Sequence, residues 1–362
     1  MKTRTIDKIF EVVRIILAIL LAFALTLVIL IFVSKDPVNA VKEFLTGPFK
    51  TVRRMGNMVE LAIPYIFTGV GMCFLYSAGQ FNTVGEGIFF FSGCTISLTC
   101  LALIPLNLPP VIYPFVLITV GALVGIGISF IPGILKIKWK VNDVVMAIML
   151  QNILQYFGKW IVITQMRDPS ISYNASYKLP ENALIGKMIP GTRIHYGLII
   201  ALIVVVIATI IIYKSPLGYS MRLVGKNDEF AQYAGINVKR SILSAQLIGG
   251  ALAGIGGAVE ILGMYERFQW GGLTQHGIDG TMVAVLAKSN PALVPFTSLL
   301  LAYLRIGADL VNMKSDIPAE FITVIQSIVI MLVAAEQFLV GTKNKIIYKT
   351  AQKRIAKKEE NK

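Results

Sequence analysis

The stretch YKSPLGYSMRLVGKNDEFAQYAGINVKRS, residues 213–241, lies between two apolar runs, 196–213 and 242–264, each long enough to cross a bilayer. Its centre, residues 227–234, has neither Pro nor Gly and can form roughly two turns of helix. Asp228 and Glu229 near the start suit the positive end of the helix dipole, and Gly235 is placed to stop the helix. A short amphipathic helix strung between two spans lies along the membrane surface and offers itself to a soluble partner. The chain therefore reads as an all-α integral membrane protein with a handle on one face.

Composition agrees. Of 362 residues, 55% are hydrophobic and 15% charged, whereas soluble domains run at about 45–50% and 25%. Beyond the two runs already named, apolar segments occupy 15–33, 59–78, 88–106, 111–132, 144–166, 278–287, 292–311 and 318–338. That makes ten segments, of which 278–287 is too short to span. Residues 15–33 follow Lys2, Arg4, Lys8 and Arg14 like a signal peptide, but exceed the usual apolar core of one and read as a retained first helix. Residues 1–341 form the membrane domain, with the connection 214–240 on its inner face, and 342–362 a basic tail that sits near anionic lipid. Basic residues concentrate in that tail, that connection and the N-terminus, which puts both termini in the cytoplasm; the outer cations lie mostly in two long loops, 34–58 and 167–195.

The net charge of +14 would suggest nucleic acid in a soluble protein. Here the cations sit between spans and serve orientation. Cys73, Cys94 and Cys100 lie in apolar segments, an odd set that argues against a disulfide framework or zinc site and leaves the redox compartment open. His195 and His276 are too few for a histidine-based centre, and no cofactor or metal is expected in the chain.

Two segments share a pattern of acid, Gly, then apolar helix: FNTVGEGIFFF (81–91) and TQHGIDGTMVAVL (274–286). Glu86 enters from the inner side and Asp279 from the outer side, the relation of inverted-topology repeats, with halves near 59–166 and 242–338. Such repeats place broken helices near the midplane, facing a water-filled path; alternatively both acids simply cap helix N-termini. Arg305 and Asp309, four apart on one face at membrane depth, each need a partner or water, and their spacing suits a mutual ion pair. In NDVVMAIMLQNILQYF, Ile148, Asn152 and Gln155 share a face, which sends the two amides either into a polar cavity or into interhelical hydrogen bonds. Gly250 with Gly254, Gly256 with Gly263, and Gly121 with Gly125 mark close-packing seams, within the chain or to a second copy.

Glu229, Ala231 and Gly235 resemble the E-A-A-x-x-x-G loop of ATP-binding cassette (ABC) importer permeases, with Phe230 in place of the first Ala. The wider string 217–240, the FN-x-x-x-EG segment, the NDVVMAIMLQNIL helix and GIDGTMVAVLAKSNPALVPF resemble the nucleoside-type and ribose-type permeases of that superfamily over about 59–312. The resemblance leans to nucleosides over a ribose-like sugar or branched-chain amino acids, with departures at Asp143, Ile88, Gln151 and Asn152. It implies a permease of the vitamin B12 importer class in a bacterial cytoplasmic membrane. It further implies a second, identical or homologous permease, ATPase subunits that bind the ATP, and an extracytoplasmic solute-binding lipoprotein. Gly225, Asn227, Glu229, Ala231, Gly235 and Ile236 would couple to the ATPase, and Asn82, Glu86, Asn152, Gln155 and Asp279 would line the substrate path.

The chain is not expected to be an enzyme: it lacks a G-x-x-x-x-G-K-[ST] phosphate loop, and Glu60, Glu320 and Glu336 are scattered with no histidine beside them. A secondary transporter also uses inverted repeats, but has no use for the loop at Glu229.

Overall fold

The computed structural model describes residues 36–314 and the single helical positions 24, 28 and 327. The apolar runs 15–33 and 318–338 and the basic tail lie outside these. Eleven α-helices account for most of the described residues, which include no strand and only two isolated bridges. In order they are α1 (Pro37–Thr46), α2 (Val52–Ser77), α3 (Gly85–Leu103), α4 (Ile112–Trp139), α5 (Asp143–Ile161), α6 (Gly197–Lys214), α7 (Pro216–Val224), α8 (Asp228–Tyr233), α9 (Val238–Met264), α10 (His276–Leu286) and α11 (Val294–Lys314). Polar residues begin several of them: Thr51, Asn142, Asn227 and Asn237 each accept a backbone N–H from the first turn of the helix they precede.

Six helical stretches are long and apolar enough to cross a bilayer: Val52–Ser77, Gly85–Leu106, Ile112–Trp139, Gly197–Lys214, Val238–Met264 and Pro291–Met313. These six match six of the ten expected apolar segments; the runs 15–33 and 318–338 lie outside the described residues. The run 144–166 is helical as α5 but falls short of these six, because Gln151, Asn152, Gln155 and Lys159 dilute its apolar character. The run 278–287 is α10, eleven residues long, as its shortness in sequence implied.

The chain divides into two compact units, one of residues 1–47 with 307–362 and one of 48–306. Everything functional below lies in the second. Its axis is α9, which packs on α2, α3 and α4. The glycine pairs explain how closely. A Cβ on Gly254 would collide with the carbonyl oxygen of Gly121, and one on Gly125 with that of Gly250, so the two G-x-x-x-G motifs face each other antiparallel along α4 and α9. Ser92 adds a hydrogen bond from α3 to the Gly254 carbonyl, 2.7 Å. The seam is thus internal to the chain. Gly254→Leu should force the two backbones apart at a cost of about 3 kcal/mol or more, seen as a fall in the melting temperature of the detergent-purified protein, while Gly127→Leu, with nothing near its Cβ, should not change it.

α10 does not begin at the edge of the bundle. Thr68, in the middle of α2, donates to the His276 carbonyl at 2.9 Å, so the first residue of α10 sits at mid-height. The segment leading to it, 265–275, dips into the bundle, with Phe268 and Trp270 buried against Phe89 and Phe90 of α3.

Candidate functional site

The connection between α6 and α9 folds as two short helices. α8 starts on Asn227, whose side chain accepts the Phe230 N–H at 2.8 Å. It ends on Gly235, whose φ of +79° is the left-handed conformation that favours glycine. The N–H of Ile236 reaches the Ala231 carbonyl at 2.9 Å and that of Gly235 the Gln232 carbonyl at 3.0 Å, which is the double-bonded Schellman stop. Only Ala231 is buried; Phe230 is 58% and Tyr233 92% exposed, too open to serve the fold's own core. Asp228 and Glu229 are exposed beside them. The helix anticipated over 227–234 therefore forms, stops at the expected glycine and presents two aromatics and two acids outward.

Gly225 anchors this handle. A Cβ there would collide with the Ser77 carbonyl and lie 2.8 Å from the Gly79 nitrogen, so the backbone before α8 rests on the turn that follows α2. That turn leads through Asn82 to Glu86. Sequence spacing hints at none of this, because the contact joins backbones 146 positions apart.

Glu86 is fully buried. Its carboxylate accepts the backbone N–H groups of Gln275 at 2.7 Å, Gly277 at 2.6 Å and Ile278 at 3.3 Å, and the Thr274 hydroxyl at 3.4 Å. It thus caps α10, not the helix it belongs to. The N-termini of α3 and α10 meet here, each with about half a positive charge, and one carboxylate answers both. Three residues into α10, Asp279 is held by Arg305 of α11, whose Nη2 lies 2.8 and 2.9 Å from its two carboxylate oxygens. Arg305 thus links α11 to α10.

The other sequence-chosen path residues do not join this cluster. Asn82 is buried, donating to Gln246 of α9 at 3.0 Å and accepting the Val84 N–H at 2.9 Å. Asn152 is exposed with Ile148, while Gln155 is half-buried near Gly272 of the dipping segment. The inner face of α5 is Ala147, Leu154 and Gly158, whose small members let α3 approach. Ile148 and Asn152 are therefore turned away from the core formed by the described residues, while Gln155 faces the dipping segment. Where the described parts of α2, α3, α9 and the start of α10 converge, a void of about 10 Å³ opens, too small for a solute.

On the far side from α8, the segments 167–195 and 265–275 are stitched together. The N–H of Ser176 reaches Phe268 and that of Leu179 reaches Glu266, at 2.9 and 2.8 Å, and Arg267 pairs with Asp168 at 3.3 Å. Hydrogen bonds from Ser170, then the Arg267 charge, hold the Asp168 carboxyl below its usual range. His195 is buried there, accepting the Gly197 N–H on Nδ1 at 3.2 Å, and burial pushes its imidazole from 6.5 down to about 4. Between pH 6.5 and 4 the unfolded chain binds this proton and the folded one does not, so stability falls as pH is lowered through that window, by about 3 kcal/mol in all. Melting temperatures at pH 7 and pH 4.5 should differ less in His195→Gln than in the unaltered protein.

Cys73, Cys94 and Cys100 are buried and free. Glu60 is buried against Glu260 of α9, and no group of three metal-ligating side chains occurs among the described residues.

Other proteins resemble this sequence along most of its length. The chain is 32% identical to the guanosine ABC transporter permease protein of Bacillus subtilis over 336 residues, covering 90% of this chain and 94% of the relative. It is 28% identical to a nucleoside ABC transporter permease protein of Lactococcus lactis, covering 89% and 90%, and 26% identical to a glucose ABC transporter permease protein of Haloferax volcanii, covering 89% and 87%. The family model described as branched-chain amino acid transport system, permease component, matches residues 54–334. With a match over most of its length, and with apolar spans arranged around a glycine seam, the chain belongs to that family of transport permeases.

Proposed function

We propose that the chain is the membrane-spanning subunit of an ABC importer that carries nucleosides across a bacterial cytoplasmic membrane, driven by ATP bound to a separate ATPase. The observation that carries the reading is α8, a helix capped at both ends and held clear of the bundle, with Phe230, Tyr233, Asp228 and Glu229 outward. Aromatics exposed on so short a helix gain nothing from water, and a cleft in a partner would bury them. This helix and its flanks, Gly225 to Ile236, then form the coupling segment on the inner face, and both termini are cytoplasmic.

Substrate passes between two permease subunits. The outward face of α5, with Asn152 exposed and Gln155 beside it, fits a path shared with a second copy or paralogue, since none of the described residues buries Asn152. Asn82, Glu86 and Asp279 hold the broken-helix junction at mid-height, and act on the path by fixing where α3 and α10 begin. α3, from the first of the two expected repeats, and α10, from the second, meet there, as an inverted-repeat arrangement requires. An extracytoplasmic lipoprotein delivers solute to the ledge formed by 167–195 and 265–275. Nucleosides need donors and acceptors together, which amides supply, and two of the relatives described above carry that solute in their names. A glucose permease among the relatives keeps a simple sugar as the second reading. Competition decides: uptake of labelled guanosine should be blocked by excess unlabelled nucleosides and by vanadate, and not by ribose or glucose; sugar competition without nucleoside competition reverses the assignment.

A further inference from the structure

Beside the root of α8, a cavity of about 430 Å³ opens between the end of α2, α6, α7 and the turn after α10. Tyr76, Tyr213 and Tyr219 line it with Arg222, Lys226 and Lys288, and none of the described residues lining it is acidic. The guanidinium of Arg222 lies over the Tyr213 ring, 5.2 Å from its centroid, which fixes that cation at the wall. The Tyr76 hydroxyl is shielded from solvent with no hydrogen-bond partner, an unused polar group of the kind a ligand satisfies. Lys288 and Ser289, at the rim, both hold positive φ, +52° and +56°, a costly backbone for side-chain-bearing residues that keeps the rim in place. The size falls within the range of about 300–1,000 Å³ for small-molecule sites.

We infer that this cavity binds a phosphate-bearing ligand, its anion held by Arg222 and Lys226 and its organic part against the tyrosines. Arg222 and Lys226, in a lining whose described residues include no acid, favour an anion, arginine adds the forked geometry that matches phosphate, and tyrosine walls accept a ring or a glycerol backbone. Gly225 is also part of the lining and rests on Ser77 and Gly79, so a bound ligand stiffens the joint between α8 and α2. Only the placing of the cavity on the cytoplasmic side rests on the proposed function. Two sources share this chemistry: the headgroup of an anionic phospholipid and a soluble phosphorylated metabolite.

The test uses the full chain purified in a neutral, phosphate-free detergent and titrated separately with phosphatidylglycerol and with adenosine 5′-monophosphate, bound ligand being read by native mass spectrometry. At least one should be retained and should bind about tenfold or more weakly to the double variant Arg222→Gln, Lys226→Gln, while Arg222→Lys with Lys226→Arg keeps most of the binding at an unchanged melting temperature. Retention of phosphatidylglycerol alone identifies a lipid headgroup; retention of the nucleotide identifies a soluble ligand. Failure to retain either, or equal retention by the double glutamine variant, overturns the site. Because the readout needs neither transport nor orientation, the site can fail while nucleoside uptake stands, and the reverse.

Discussion

ATP-driven uptake should fall at least a hundredfold when Gly235 is replaced by valine, with the protein still folded and inserted. At φ +79° a β-branched residue is strained by about 1–2 kcal/mol or more, and α8 has only six residues with which to resist. Loss of the Schellman bonds from Gly235 and Ile236 lets the helix unwind. No atom lies within 4 Å of a Cβ at Gly235, so the bundle itself feels little. Glu229→Ala tests the surface of the same helix without touching its backbone: the side chain is exposed and its removal should lower uptake while α8 stays intact. Uptake assayed in vesicles with the partner ATPase, beside the melting temperature of the purified protein, separates the two effects. Full uptake by both variants would remove the docking role from this segment.

The second large effect concerns Glu86. Truncation to alanine leaves the N–H groups of Gln275, Gly277 and Ile278 without their acceptor in a fully buried site. Each buried donor left unmade costs about 1–3 kcal/mol, and the meeting of two helix N-termini loses its only carboxylate cap. The sum matches the whole stability of many domains, so Glu86→Ala should yield little folded protein. Glu86→Gln keeps the shape and one acceptor oxygen and should fold with a lowered melting temperature. An alanine variant as stable as the original would show that the cap contributes nothing.

Some of this was legible in the chain. The G-x-x-x-G pairs in 121–125 and 250–254 announce themselves because only glycine permits backbone contact in lipid, and they do pack on one another. Asn227 and Gly235 act locally, through bonds three to five residues long, and local rules find them. What escaped depends on distant partners. Glu86 reads as a cap for α3 from its neighbours, yet it answers an α10 that lies 190 positions later. Arg305 bridges Asp279 on another helix, a contact that spacing along its own helix does not announce. On α5, small residues at Ala147 and Gly158 decide which side packs against α3, which amide spacing alone does not announce. The support of Gly225 by Ser77 and Gly79 left no trace in composition or periodicity.

The central claim is that a separate ATPase moves this permease through α8. Its most direct measurement is guanosine accumulation in vesicles containing the permease, with and without the ATPase, under ATP and under an imposed ion gradient. Accumulation that needs both ATPase and ATP, and ignores the collapse of ion gradients, is the predicted result. Accumulation by vesicles lacking any ATPase, following the ion gradient, would contradict it.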